Sequence, residues 1–143
     1  MKSANLKPLP ELWIRATLFL TGIAILGLVY LFQRINLAVL LGDFHPNVIF
    51  VINRTTRLIL NDLACFLIIF ALFRENKYLK IAFWVFLFEL LVILPVYLVV
   101  KLSLEGDSEI SSPLLSQVHR LIVNPMLMIL LMAGFIYQRI LKK

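Results

Sequence analysis

Charge spacing constrains this chain more than any other feature. Between Arg15 and Arg34, and again between Arg120 and Arg139, no charged residue occurs. Each interval is about one bilayer crossing for a helix rising ~1.5 Å per residue. Two further apolar blocks, residues 63–73 and 81–100, carry Glu89 as their one charge. Such runs are at home in lipid, where a segment must satisfy its own backbone polar groups and a helix does so unaided. Composition agrees: 62% of the 143 residues are apolar and 15% charged, outside the soluble range. The pattern predicts an all-α membrane protein, one integral membrane domain over residues 1–143, with four transmembrane helices near 12–32, 54–73, 81–100 and 121–138.

The connections follow from breakers and caps. Residues 1–11 form a short basic leader with Pro8 and Pro10, too polar to insert. The first apolar run is longer than a signal-peptide core and lacks a small-x-small cleavage site, so an uncleaved helix is expected. Thr17 and Thr21, four apart, offer a close-packing face. Residues 35–52 are apolar but interrupted by Gly42-Asp43-Phe44-His45-Pro46. They predict an interfacial or re-entrant segment between the first and second spans, with Asn47 capping the next helix. Pro95 predicts a kink in the third span. Ser112-Pro113 starts a helix, with serine as N-cap and proline in the first turn. Residues 113–124 then form an amphipathic approach, and Pro125 bends the chain into the last span.

Lysine and arginine placement orients the bundle. With both termini cytoplasmic, Lys2, Lys7, Arg15, Arg74, Lys77, Lys80, Arg139, Lys142 and Lys143 lie inside. Arg34, Arg54, Arg57, Lys101 and Arg120 lie outside, beside the acidic loop of Glu105, Asp107 and Glu109. The net charge of +6 is thus explained by topology, with no aromatic-interleaved basic surface left for nucleic acid.

Several chemistries are excluded or weakened. One cysteine permits no internal disulfide and no multi-thiolate metal site, and His45 and His119 stand far apart. No glycine-rich phosphate loop, zinc-protease motif or serine nucleophile elbow occurs, and no cofactor is implied. Met126, Met128 and Met132 read as packing residues.

What remains is a polar seam. In Asn53-Arg54-Thr55-Thr56-Arg57-Leu58-Ile59-Leu60-Asn61-Asp62-Leu63-Ala64-Cys65, helical spacing puts Arg54, Arg57, Asn61 and Cys65 within a stripe of about 80°. Asp62 falls at its edge. Polar groups in a spanning helix are costly and face protein or a wet cavity. With His119, Arg120 and Asn124 approaching from the last loop, the seam predicts a basic pocket for a carboxylate, phosphate or acidic segment. The competing reading has Arg57 and Arg120 snorkelling and pairing with Asp62, Asp43 or lipid phosphate. Glu89, mid-span, calls for a hydrogen-bonding neighbour such as Asp62 or Asn61, and a proton path through Glu89 and Asp62 is the rarer alternative. A cysteine transpeptidase or hydrolase would use Cys65 as nucleophile, His119 as base and an arginine as clamp. A thiol followed by Phe66-Leu67-Ile68 is more simply a small apolar side chain.

The seam, together with His119-Arg120-Leu121-Ile122-Val123-Asn124-Pro125-Met126-Leu127-Met128, resembles the exosortase F system-associated membrane proteins of Bacteroidetes-type bacteria. The two stretches cover roughly a quarter of the chain, and length and span layout agree. The resemblance implies an inner-membrane accessory subunit, with an exosortase or another integral membrane protein as partner and the bilayer as its setting. It supplies no active site. Exosortases are much longer, and small residues follow their nucleophile where Phe66 follows Cys65. The residues expected to meet a partner or substrate are Arg54, Arg57, Asn61, Asp62, Arg120 and Asn124.

Overall fold

The computed structural model describes residues 9–35, 42, 44–73, 75–106 and 109–142, with side chains from residue 11. Among them all regular structure is helical. The elements are α1 (Leu9–Leu31), α2 (Pro46–Leu72), α3 (Asn76–Phe88), a π-helical turn (Glu89–Ile93), α4 (Leu94–Leu104), α5 (Pro113–Val123) and α6 (Met126–Leu141). Three stretches are long and apolar enough to cross a membrane: Glu11–Leu31, Pro46–Leu72 and Asn76–Leu104. A fourth exists if α5 and α6, bent by 64°, count as one broken span.

α2 is the hub. Its buried residues include Leu58, Asn61, Asp62, Ala64, Cys65, Ile68 and Ile69, a stripe repeating at helical spacing. Two core clusters share it. Toward its C-terminus, Cys65, Ile69 and Phe73 pack with Tyr78, Ala82, Met128 and Phe135. Toward its N-terminus, Leu58 packs with Leu94, Tyr97, Leu115 and Ile122. α1 lies along α2 and leaves Leu12, Trp13, Leu20, Leu28 and Leu31 exposed, as a lipid-facing helix does.

Several expected details are corrected. α2 starts at Pro46, one residue before the cap expected at Asn47 and two turns ahead of the membrane boundary expected near Arg54, because proline's fixed φ suits the first helical turn. Its N-cap is His45, not Asn47: the His45 ring accepts a 3.3 Å hydrogen bond from the Asn47 backbone N–H. Residues 36–41 and Asp43 fall outside the described residues, and so do Lys2, Lys7, Arg74, Asp107 and Lys143. α1 starts at Leu9, inside the segment read as a leader, with Glu11 in its first turn.

Thr17 and Thr21 are exposed rather than packed, and the Thr17 hydroxyl donates back to Trp13 and Ile14 carbonyls of its own helix. The close approach is at Gly22. A Cβ there would stand 2.6 Å from Ile68 Cγ1 and 2.9 Å from the Ala64 carbonyl oxygen, so only glycine lets the helices meet. Pro95 is accompanied by a wide turn one step earlier, where the Leu94 N–H reaches the Glu89 carbonyl. Proline cannot donate and crowds the preceding turn, and a π turn absorbs both defects within a continuous helix. The break at Asn124-Pro125 lies where the sequence placed it. Ser112 stands at the N-cap of α5, but its side chain makes no capping bond.

Helix ends inside an apolar bundle leave carbonyls to satisfy. Arginines from neighbouring helices serve them. Arg15 Nε of α1 donates to Ala71 O at 2.8 Å and Arg139 of α6 to Leu72 O at 3.3 Å, closing the end of α2. Arg57 of α2 donates to the Gln33 carbonyl just past α1.

Candidate functional site: the polar seam of α2

From Arg54 to Cys65 the seam keeps its helical phase but divides into three environments. The first is a cleft of about 290 Å³ between α1, α2 and the α5–α6 break. Arg57, Asn61 and Asn124 line it with Gln33 and Tyr30, and Leu26, Val29 and Ile129 form its apolar walls. The break itself builds the polar rim. Asn61 Nδ2 donates 2.7 Å to Val123 O, one of the carbonyls orphaned where α5 stops. Asn124 is exposed at the lip. Among the described residues no acidic side chain lines the cleft. A smaller cleft of about 160 Å³, including Asn53, Thr56 and the other side of Arg57, lies against α1.

The second environment surrounds Tyr97. Its hydroxyl and His119 Nδ1 share a hydrogen bond at 2.7 Å. The Arg54 guanidinium sits over Phe50, 5.0 Å from the ring centroid, and the Lys101 ammonium approaches the same ring at 5.8 Å. Cations over aromatic faces gain most where water is excluded. Arg54 Nε is buried with no hydrogen-bond partner among the described residues. Lys101 is 1% exposed and pairs with Glu105 at 3.3 Å, while also donating to the Gly106 carbonyl. Just past the end of α4, Glu105 receives the Ser111 hydroxyl and the backbone N–H groups of Ser111 and Ser112. Those bonds, led by the Ser111 hydroxyl and joined by Lys101, pull the carboxyl down to about 2 against the opposing effect of burial. Arg120 is exposed on α5 and does not line the cleft.

The third environment is central. Asp62 of α2 and Glu89 at the π turn are both buried, and their carboxyls are in hydrogen-bonding contact. Asp62, not Asn61, is the neighbour that Glu89 required. Neither arginine of the seam pairs with it.

Of the residues expected to work together, the structure joins Arg57, Asn61 and Asn124 around one cleft, and Asp62 to Glu89. Arg54 and His119 gather instead around Tyr97. Cys65 and His119 are not brought together. The thiol is fully enclosed among Ile69, Phe73, Tyr78, Ala82, Met128 and Phe135, whereas His119 is engaged by Tyr97 of the other cluster. Among the described residues no group of three His, Cys, Asp or Glu side chains is arranged to hold a metal.

Sequence reasoning missed Phe50, Tyr97 and Lys101 as members of the polar assembly. The Lys101/Glu105 pairing was legible, since residues four apart share a helix face. The Tyr97–His119 bond crosses between helices and has no local signal. Comparison of the chain with family models, with curated proteins and with solved structures finds no match.

Proposed function

We propose that this chain is a non-catalytic accessory subunit of an exosortase-type protein-sorting system. In this reading it crosses the bacterial inner membrane four times, with both termini cytoplasmic. The observation that carries the reading is the cleft of Arg57, Asn61 and Asn124: one cation and two amides in apolar walls, with no acidic lining residue among the described residues. Such a surface suits a carboxylate or an acidic stretch on another membrane protein, either the sorting enzyme or the tail it handles. The enclosure of Cys65 supports the non-catalytic part, because a nucleophilic thiol needs a base, a neighbouring charge and access to substrate.

The test is affinity capture of the tagged protein from native membranes in mild detergent, read by mass spectrometry. Stoichiometric recovery of an exosortase is expected, with recovery reduced about tenfold by Arg57→Gln, the equivalent of ~1.4 kcal/mol of binding. Recovery of a different membrane complex contradicts the sorting assignment, and recovery of the bait alone, with crosslinking also negative, contradicts the partner role. Cys65→Ala is expected to leave sorting intact. Loss of sorting at normal membrane abundance would point instead to a cysteine enzyme.

A further inference from the structure

In the middle of the bundle, packing forces two carboxyl groups together. Asp62 is 1% exposed and Glu89 4%, and their side chains meet within hydrogen-bonding contact. Two ionised carboxylates are acceptors only, so a hydrogen bond between them requires a proton on one. Without it, two like charges face each other in apolar surroundings, the arrangement that carboxylate dyads resolve by sharing one proton. The outer oxygens Asp62 Oδ2 and Glu89 Oε1 are buried with no partner among the described residues, so nothing else there supplies the missing positive charge.

The neighbours offer no substitute. On α2 itself the titratable group that feels both carboxyls is the Cys65 thiol, and the amide nitrogen of Asn61 is committed to Val123 O. α1 presents Gly22 against Ala64 and Ile68. α6 presents Met128 beside Cys65. The cations are placed elsewhere: Arg54 and Lys101 lie against the Phe50 ring, Lys101 also pairs with Glu105, Arg57 donates to the Gln33 carbonyl and Arg120 is exposed on α5.

We propose that Asp62 and Glu89 form a proton-binding site that holds a single proton between them, and that this proton keeps the π turn Glu89–Ile93 docked on α2. The turn is where the helix yields most readily. Its hydrogen-bond ladder is already widened at Leu94–Glu89, and Pro95 cannot donate to restore it. When the proton leaves, a shared bond becomes a repulsion between acceptors, and the widened turn separates from α2. Proton occupancy thus sets the spacing of two membrane helices. This inference is independent of the accessory role.

The test is infrared spectroscopy of the full chain in lipid nanodiscs, with the side-chain carboxyls of aspartate or glutamate labelled with ¹³C. At neutral pH the expected result is a protonated-carboxyl band that is sensitive to deuterium and shifted by the labels. The band disappears in the Asp62→Asn/Glu89→Gln variant, whose amides restore a hydrogen bond without a titrating proton. Raising the pH removes the band and speeds backbone amide exchange over residues 89–94 in the natural chain and not in that variant. Absence of a label-shifted band from folded natural chain overturns the proposal, whether or not the variant folds. A band that survives the double substitution, or turn exchange with the same pH dependence in both chains, also overturns it.

Discussion

At its Phe73 end, α2 is gripped by an aromatic group. Phe73, Tyr78 and Phe135 stand with ring centroids 4.6 to 5.6 Å apart, joined by Ala82 and Met128. At its Pro46 end, α2 is held through polar groups that each need a specific partner, Asn61 on Val123 O and Arg57 on the Gln33 carbonyl, while the Tyr97–His119 bond ties α4 to α5 beside it. One helix therefore carries both modes of membrane-protein packing. Ring packing tolerates no void but asks for no particular polar partner. Polar closure leaves the cleft of about 290 Å³ open at that end, and at the Phe73 end an opening of about 440 Å³ lies beside the rings where Arg139 reaches the Leu72 carbonyl. Where helices stop and break, carbonyls are released, and polar side chains drawn in to satisfy them also line accessible volume. The Asp62–Glu89 contact sits between the two ends.

Substitutions separate the two modes, beginning with the largest effect. Phe135→Ala removes a ring that touches both Phe73 and Tyr78, and is expected to cost about 3 kcal/mol of stability through an unfilled cavity. A denaturant titration in detergent measures it, and the cleft should keep its shape. Asn61→Leu strips the Val123 carbonyl of its partner and is expected to cost about 1–3 kcal/mol, accompanied by a change in the α5–α6 bend visible by spin-label distances. Tyr97→Phe loses one hydrogen bond while keeping the ring, and is expected to cost about 1 kcal/mol by the same titration.

The smallest effect is confined to the link between α4 and α5. Because Glu105 is held down to about 2, the stabilisation it gives is present above the ordinary carboxyl range. It is lost as pH falls from about 4, the unfolded value, through about 2. Limited proteolysis at residues 105–112 should rise over that acid window in the natural chain. In Glu105→Gln it should be raised at every pH, with no acid step.

How much of this was legible beforehand depends on whether the partner of a residue lies on its own helix. The stripe on α2 was legible, since helical spacing alone fixes which residues share a face, and Asn61 and Cys65 are both buried on it. The break at Asn124-Pro125 was legible from proline chemistry. The bond of Asn61 was not, because its acceptor is a backbone carbonyl that exists as an orphan only once the helix has broken. Asp62 and Glu89 were candidates for each other, but adjacency of α2 to the π turn is a tertiary fact. Thr17 and Thr21 misled for a local reason: the Thr17 hydroxyl is satisfied by its own helix, and the contact belongs to Gly22, where the lack of a side chain matters.

The proposed partner role requires that the cleft beside Arg57 receive part of another protein. The most direct measurement is site-specific photocrosslinking in native membranes, with the probe placed at Asn124 on the cleft lip and, in a second chain, at Trp84 on the exposed face of α3. One discrete protein adduct is expected from Asn124, lost with Arg57→Gln, and lipid adducts alone from Trp84. Lipid adducts alone from both positions, or the same protein adduct from both, would contradict that role.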